Sequence, residues 1–226
     1  MSEVHVLVGT NNPGKFADAQ FVAQEFPAFN LYSPHDLGIT VDPEETGTTY
    51  SENAHIKRDF YVGKLALLCL KDYFVVADDS GLEIDALGGQ PGVHSRRWKD
   101  GVTPMSDSEI IAYCLEQMED TPGKDRGAAF RGVVSVGHAS RPLSIDVPFQ
   151  LQGSIVKAPE GTVRSGYPFN SLFFLPQYGM MMADIIDQPR EKGFKGFRTH
   201  REIGLKAAFD SILELSHEWR EGERAG

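Results

Sequence analysis

The chain has 226 residues, 41% hydrophobic and 24% charged, and 32 acidic residues against 22 lysines and arginines give a formal net charge of −10. This composition is typical of a globular protein, and the length suits one domain of two small lobes that share a core. Such an acidic chain lacks the basic surface that a nucleic-acid polymer requires, although a local basic cluster can still hold a small phosphate ligand.

The first elements predicted along the chain are a strand, a loop, a helix and a second strand. Residues 4–8 are apolar and β-branched, which predicts a buried strand, and a turn-forming loop follows at residues 9–15. Apolar side chains recur at helical spacing over residues 16–26, and residues 31–33 predict the second strand. The loop therefore precedes a helix N-terminus, a position that suits phosphate.

The next elements bring acidic residues to the end of an apolar strand. After an acidic loop, residues 50–70 predict a helix with Ser51 as its candidate cap. Residues 74–77 are almost wholly apolar, as in an interior strand, and they run directly into Asp78 and Asp79. We therefore expect the acidic pair at the carboxyl end of that strand.

The rest of the chain predicts a helix, a hairpin and a final helix. Residues 106–118 have helical periodicity, residues 128–136 and 143–153 predict paired strands, and residues 201–217 form an amphipathic helix. Strands that alternate with helices, together with an antiparallel pair, predict an α/β fold with a mixed sheet.

The two cysteines and the hydropathy pattern indicate the compartment. Cys69 and Cys114 each lie in an apolar stretch that predicts helix, which favours buried thiols in a reducing environment. No stretch approaches the roughly 18 apolar residues of a membrane span, and no basic flank precedes the first apolar run. We expect a cytoplasmic protein with no membrane partner.

The loop after the first strand is a candidate phosphate site. Thr10, Asn11 and Asn12 are small polar residues that let backbone amides approach an anion, and Lys15 adds a mobile positive charge. An ordinary strand-to-helix turn with a solvent-facing lysine has the same residues. The loop alone therefore does not decide between the two interpretations.

A set of acidic residues is a candidate Mg²⁺ site. Glu44 and Glu45 lie in the acidic loop, Glu52 lies at the start of the next helix, and Asp78 and Asp79 follow the apolar strand. Carboxylates suit Mg²⁺, and one beside a metal can activate water. The glutamates are equally consistent with a solvated loop and a helix-start charge, whereas two aspartates after an interior strand favour a function.

A basic set precedes the last helix. Lys195, Thr199, His200 and Arg201 can hold phosphate or the oxygen atoms of a base edge. For His200 alone, an ordinary basic loop is the simpler interpretation.

One long segment resembles a known family. Residues 77–95, ADDSGLEIDALGGQPGVHS, are similar to the signature segment of the inosine triphosphate pyrophosphatase family. Four further motifs match in the same order, so that the resemblance spans essentially the whole chain: TNNPGK at 10–15, EETGTTYSENAHIK at 44–57, RGAAFRGVV at 126–134 and KGFRTHREIGLKA at 195–207.

The resemblance implies a fold, an activity and a cofactor. The implied fold is a long central mixed sheet with two α/β lobes that flank a nucleotide-binding cleft, and the implied assembly is a homodimer. The implied activity is Mg²⁺-dependent hydrolysis of inosine, deoxyinosine and xanthosine triphosphates, noncanonical purine nucleotides, to the monophosphate and pyrophosphate. Such an enzyme clears these nucleotides from the nucleotide pool.

The resemblance also implies roles for residues at matching positions. Asp79 resembles the general base and a metal-associated carboxylate, Glu44 a metal ligand, and Ser80 a substrate contact. The other implied substrate contacts are Thr10, Asn11, Asn12 and Lys15 for the phosphates, and Lys195, His200 and Arg201 for the base.

One segment departs from the family pattern. Where the family usually has Gly-aromatic-Gly-Tyr-Asp-Pro at the nucleotide site, residues 166–171 read GYPFNS. Phe169 can still stack on a base, but Pro168 removes an amide donor and Asn170 replaces a carboxylate. We count Phe169 and Asn170 as substrate-binding residues, with a base preference that this segment can alter.

Two alternative functions remain open from the sequence. The altered segment is compatible with a Maf-like pyrophosphatase that acts on other modified nucleotides. A nucleotide-binding regulatory protein without turnover is the other alternative, and Asp78, Asp79, Glu44 and Lys15 argue against it because a sensor needs no water-activating carboxylates.

Overall fold

The structure is a computed structural model that describes residues 3–187 and 197–225. The predicted contact at Lys195 lies outside the described residues. The chain divides into two compact units. The first unit comprises Met1–Asp79, Gly132–Phe149 and Thr199–Gly226, and the second comprises Ser80–Arg131 and Gln150–Arg198.

In the described part of the chain, seven strands form one mixed sheet in the order β2-β1-β3-β4-β5-β6-β7. The strands are β1 Val4–Val8, β2 Phe29–Tyr32, β3 Tyr73–Ile84, β4 Gly127–His138, β5 Ile145–Ile155, β6 Phe173–Leu175 and β7 Met180–Met181. Strand β1 pairs in parallel with β2 and β3, whereas β6 pairs antiparallel with β5 and β7. The predicted α/β class with a mixed sheet is confirmed.

Five helices accompany the strands within the described residues. They are α1 Pro13–Ala23, α2 Tyr50–Leu67, α3 Asp107–Gln117, α4 Met182–Asp187 and α5 His200–Ala225. The prediction of Ser51 as the cap of α2 is wrong, because the Thr49 side chain accepts the backbone N–H of Glu52 at 3.2 Å. The helix begins at Tyr50, so Ser51 already lies inside its first turn.

Strand β3 is longer than its apolar run. The sequence predicts a strand that ends at residue 77, but β3 continues through Asp78 and Asp79 to Ile84. The carboxylates of both aspartates are paired with cationic side chains that are themselves buried or half-buried. Carboxylates paired in this way can lie within a strand without ending it. In the parallel register Val8 of β1 lies opposite Val76, so the aspartates follow the last paired residues of β1.

In the first unit, alternating side chains of β1 and β3 enter two different apolar clusters. Val6 and Val76 pack in a cluster with residues of α1 and α5, whereas Leu7 and Val75 pack in one with Tyr61 of α2. Successive side chains of a strand point to opposite faces of the sheet. Helices therefore cover both faces of these two strands, which explains their nearly continuous apolar sequences.

The second unit has its own apolar cluster. Ile110, Cys114 and Met118 recur at helical spacing along and just beyond α3 and are fully buried there, together with residues of β3 to β6. Burial raises the pKa of the Cys114 thiol to about 12. The prediction of two buried helical cysteines fails for Cys69, which is exposed just beyond α2 with a φ of 58°.

No helix in residues 3–187 and 197–225 combines the length and apolar character needed to cross a membrane.

Candidate active site

Asp78 lies at the centre of a charged cluster in the first unit. Its side chain is only 7% exposed, and its Oδ2 accepts Lys15 Nζ at 2.9 Å and Arg201 Nε at 3.1 Å. Arg201 also donates from its Nη1 to Asp18 Oδ2 at 3.0 Å. Strand β3, helix α1 and helix α5 thus each contribute a charge to one buried network.

Asp79 meets a different pair of side chains, both from α2. Lys57 Nζ lies 3.1 Å from Asp79 Oδ1, and Asn53 Nδ2 donates to Asp79 Oδ2 at 3.2 Å. The Lys57 ammonium also lies 2.8 Å from Glu45 Oε2 and donates to the Asp78 carbonyl oxygen at 3.1 Å. One ammonium group therefore joins two carboxylates and the backbone of β3.

The two aspartates have opposite pKa shifts. Burial by itself raises the pKa of Asp78, but Lys15, Arg201 and Lys57 outweigh it and hold this pKa far below the usual range. For Asp79, burial prevails over Lys57 and Lys15, and its pKa is raised. Asp78 is thus a fixed anion, whereas Asp79 binds a proton more readily.

The pKa values of the two lysines in the cluster depend on the same balance between burial and nearby charges. Burial lowers the pKa of Lys15, with Asp78 opposing it, whereas Asp79, Asp78 and Glu45 together overcome burial and raise the pKa of Lys57. Lys57 is therefore a firmly charged ammonium.

Helix α2 orients both partners of Asp79. Asn53 and Lys57 are four residues apart, a spacing that places side chains on one face of a helix. The side-chain oxygen Oδ1 of Asn53 accepts the Gly47 N–H at 2.8 Å, which directs the NH₂ group of the same amide towards Asp79. A Cβ at Gly47 would lie 2.7 Å from Asn53 Oδ1, so only glycine allows this approach.

Glu52 and Glu44 differ from Glu45 in their surroundings. Glu52 completes a capping box, with its Oε2 accepting the backbone N–H of Thr48 and of Thr49 at 2.7 and 3.1 Å. Glu52 therefore caps the helix, in agreement with the interpretation of this residue as a charge at a helix start. Glu44 is exposed. Glu45, not Glu44, contacts the ammonium that holds Asp79.

The predicted phosphate loop is ordered by bonds among its own residues. Asn12 caps α1, and its Oδ1 accepts the N–H groups of Gly14 and Lys15 at 2.9 and 3.3 Å. Thr10 Oγ1 accepts the Asn12 N–H at 3.1 Å, and Asn11 Nδ2 donates to Asp42 Oδ1 at 2.8 Å. The loop is therefore held in a set shape, and Lys15 is directed to Asp78 rather than to solvent.

His200 and Arg201 begin α5 and are both buried. His200 stacks on Phe149 with ring centroids 6.1 Å apart. Burial and the charge of Arg201 hold its pKa well below the usual range, so its imidazole is neutral. Gly204, one turn further along α5, leaves room for the same Phe149 ring.

Three predicted site residues belong to the second unit. Ser80 directly follows Asp79 in β3 and is half-buried. Phe169 is 6% exposed and packs in the apolar cluster of that unit, where its ring centroid lies 6.1 Å from that of Trp98. Asn170 is 5% exposed. Packing thus accounts for Phe169, and its predicted stacking on a base stays a prediction.

Asn53, Lys57 and Asp18 belong to the cluster but are absent from the site predicted from the sequence. Asn53 and Lys57 are buried polar residues, four apart, on a helix that also buries Tyr61 four residues later. A polar pair in line with an apolar helix face was the signal that could have revealed them. No comparable pattern marks Asp18.

Comparison with known families gives this arrangement a context. A family model described as the Ham1 family matches residues 6–206, which is most of the chain. The chain belongs to the Ham1 family.

Two similar proteins carry the same name. A protein named dITP/XTP pyrophosphatase from Geobacillus kaustophilus is 31% identical over 218 residues, covering 96% of this chain and 94% of its own. The protein of the same name from Escherichia coli K12 is 32% identical over 208 residues, covering 92% and 97%.

Solved Ham1 structures have the same fold. A HAM1 protein from Coxiella burnetii superposes with a TM-score of 0.73 at 27% identity, covering 93% of this chain and 99% of its own. The Ham1 protein of Staphylococcus aureus gives a TM-score of 0.67 at 28% identity, covering 97% and 99%.

Proposed function

We propose that this protein is a nucleoside-triphosphate pyrophosphatase that hydrolyses inosine, deoxyinosine and xanthosine triphosphates to the monophosphate and pyrophosphate. The single observation that carries the proposal is the Asp79 carboxylate, which is largely shielded from solvent, is raised in pKa, and is oriented by Lys57 and Asn53. Membership of the Ham1 family, whose relatives include proteins named dITP/XTP pyrophosphatase, supports the same activity.

In this proposal Asp79 accepts the proton of the attacking water. A general base works best when its pKa is near the working pH, and burial moves Asp79 in that direction. Lys57 opposes the effect of burial and favours the ionised carboxylate, and the bonds from Lys57 to Oδ1 and from Asn53 to Oδ2 fix its orientation. Ser80, the next residue in β3, is proposed as a substrate contact.

The carboxylates fit a divalent cation of the Mg²⁺ type. Within the described residues no group of three or more His, Cys, Asp and Glu side chains forms a metal cage. Mg²⁺ needs none, because it binds through one or two carboxylates, water and substrate phosphates. Asp79 and Glu45 already approach one cationic centre, Lys57 Nζ, at 3.1 and 2.8 Å.

We assign the metal to Asp79 with Glu45 or Glu44. A bound Mg²⁺ would neutralise phosphate charge and polarise the α-phosphate. Lys57 has the complementary task of holding the same carboxylates in place when they carry no metal.

The phosphates and the base are assigned to different residues of the cluster. Lys15 is proposed to hold phosphate, with the shape of its loop set by Thr10, Asn11 and Asn12. His200, as a neutral imidazole, has one N–H donor for a 6-oxo purine. Arg201 orients Asp78, and its predicted contact with the base remains part of the proposal.

Product analysis tests the proposal. The protein is incubated with inosine, xanthosine, guanosine and uridine triphosphates, with Mg²⁺ or with excess chelator. We expect pyrophosphate and the monophosphate from the inosine and xanthosine nucleotides, and no turnover with chelator. Orthophosphate as the first product would contradict the α-phosphate assignment, and preferred hydrolysis of uridine triphosphate would favour the Maf-like alternative.

A cytoplasmic location and a homodimer stay predictions. Light scattering after size-exclusion chromatography measures the mass in solution, and we expect twice the 25.0 kDa of the chain.

A further inference from the structure

Side chains of α2 and β4 meet at Asp146 of β5. The two Asp146 oxygens lie 2.8 and 2.7 Å from His55 Nε2, and they accept the hydroxyl groups of Ser51 and Ser135 at 3.1 and 2.8 Å. Ser51 and His55 are four residues apart on α2, whereas Ser135 lies in β4. All four residues belong to the first unit, and we call them the Asp146 anchor.

We propose that the Asp146 anchor is a positioning device for α2. It sets the helix so that Asn53 and Lys57 hold the Asp79 carboxylate. The inference rests on the proposed function, since Asp79 is the general base of that reaction. The members of the anchor do not touch substrate in this proposal; they act through the helix.

Helix α2 uses two different faces for these contacts. Because about 3.6 residues make one turn, residues 51, 55 and 58 share one face, and residues 53 and 57 share another. The first face meets Asp146, and the second meets Asp79 at 3.2 Å from Asn53 and 3.1 Å from Lys57. A helix moves as a unit, so a shift of α2 that breaks the anchor also displaces the partners of Asp79.

Arg58 fastens the next turn of the anchored face to β4. Its Nη1 donates to Ser135 Oγ at 2.8 Å and to Ser144 Oγ at 2.6 Å. Ser135 is fully buried and donates in turn to Asp146, which joins Arg58 to the anchor. A Cβ at Gly137 would lie 2.9 Å from Arg58 Cγ and Cδ, so glycine lets the Arg58 stem lie against β4. The attachment therefore spans residues 51–58, the stretch that contains both partners of Asp79.

The Asp146 carboxylate gives the anchor its strength. Burial opposes ionisation of Asp146, but the bonds from Ser135, His55 and Ser51 prevail and lower its pKa. Hydrogen bonds to an ionised acceptor are roughly twice as strong as those between neutral groups. One charged side chain thus holds a helix and a strand at the same point.

Ser51, His55 and Asp146 are the residue types of a hydrolytic triad, but their geometry is different. In a triad the carboxylate and the serine bond to different ring nitrogens of the histidine. Here Asp146 at 2.7 Å and Ser51 at 3.5 Å both approach Nε2. The Ser51 hydroxyl donates to Asp146, so the histidine does not activate it. The geometry therefore favours an anchor over a second catalytic centre.

Hydrogen exchange at the Asn53 side chain tests the anchor without any use of activity. NMR follows the Asn53 NH₂ protons, which donate to Asp79, in the wild-type chain and in Asp146→Ala. We expect exchange about three- to tenfold faster in the variant, because this bond opens more often when α2 is loosened. Asp146→Asn keeps one acceptor oxygen and should restore part of the protection. Asp210→Ala, which breaks a partly exposed ion pair with Lys206 in the same unit, is the matched control.

Kinetics with inosine triphosphate separate positioning from general stability. We expect Asp146→Ala to lower kcat about tenfold and to change KM less than about twofold, because displacement of the base slows chemistry more than binding. In a Lys57→Met background the same change should lower kcat less than about threefold, since the contact through which the anchor acts is already lost. His55→Ala keeps α2 helical and removes one member of the anchor, and it should lower kcat about threefold.

The two measurements separate the possible failures. Unchanged exchange at Asn53 in Asp146→Ala and in His55→Ala would overturn the inference, as would faster exchange with unchanged kcat. An equal loss of kcat in the wild-type and Lys57→Met backgrounds would also overturn it. If Asp146→Ala does not fold, His55→Ala decides by the same criteria. A wild-type chain that fails the product analysis refutes the proposed reaction, while the exchange measurement still decides whether the anchor positions Asn53.

Discussion

Asp78 and Asp79 are adjacent in β3, yet the pKa of the first is lowered and that of the second is raised. Asp78 faces the two cations Lys15 and Arg201, whereas Asp79 shares a single ammonium, Lys57, with Glu45. Burial penalises both carboxylates, and the balance of nearby charges decides which way each pKa moves: Lys15, Arg201 and Lys57 outweigh burial at Asp78, whereas Lys57 and Lys15 do not outweigh it at Asp79. Adjacent carboxylates with separated pKa values are suited to different tasks, here structure and proton transfer.

Replacing Asp79 tests its role as general base. Asp79→Asn keeps the shape and the amide contact with α2 but cannot accept the proton, so turnover should fall by about 10²–10⁴-fold. Steady-state kinetics with inosine triphosphate measures kcat, and circular dichroism checks the fold. A folded variant with near-normal kcat would place the base elsewhere.

The pH profile of Lys57→Met tests the electrostatic part of the same role. Lys57 lowers the pKa of Asp79, so its removal should raise that pKa further. The acid limb of kcat/KM, where the base becomes protonated, should then move to higher pH. Lys64→Met on the same helix, where the ammonium lies over the Phe60 ring, is the control and should not move the limb. A limb at the same pH in both variants would contradict the assignment.

The fold could be predicted from the sequence because its signals are local. The apolar runs at residues 4–8 and 74–77 identify two interior strands, and their alternating side chains do enter clusters on opposite faces of the sheet. Helical spacing likewise predicts α3 and α5. The predicted strand ends too early, at residue 77, because the two aspartates that follow break the apolar pattern. Their partners come from helices that are distant in the sequence, so the sequence does not show that these carboxylates are compensated within a strand.

The site could be predicted only in part, because partners across the fold leave little trace in the sequence. Asp79 stands in a specific motif, whereas Lys57 is marked only by its position in line with the buried face of α2. The sequence also gives no reason to prefer Glu45 over its neighbour Glu44. That choice depends on the backbone course of the loop, which places Glu45 within 2.8 Å of Lys57.

Asp78→Asn should lower the free energy of unfolding, and not only the rate of catalysis. The substitution leaves Lys15 and Arg201 buried without the anion between them, and breaking a buried charge pair costs about 3–5 kcal/mol. Urea unfolding measures the free energy of unfolding. A loss below about 1 kcal/mol would show that the cluster is solvated, since exposed ion pairs contribute no more than that.

The stability loss should also depend on pH in a stated direction. The folded pKa of Asp78 lies below its unfolded value of about 3.9, so its stabilisation is complete above that pH and is lost as the pH falls further. The difference in unfolding free energy between the wild-type chain and Asp78→Asn should therefore narrow below about pH 4. A constant difference from pH 7 to pH 3 would contradict the ion-pair account.

Substitutions of Glu52 and of Glu45 should have different effects, the first on stability and the second on catalysis. Glu52 accepts the N–H groups that begin α2, so Glu52→Ala should cost about 1 kcal/mol of stability and leave kcat nearly unchanged. Glu45 is exposed, so Glu45→Ala should cost little stability. It removes a negative charge that raises the pKa of Asp79, and the acid limb of kcat/KM should move to lower pH. A normal kcat/KM profile in Glu45→Ala, with unchanged dependence on Mg²⁺ concentration, would exclude Glu45 from the metal site and leave Glu44 as the remaining candidate.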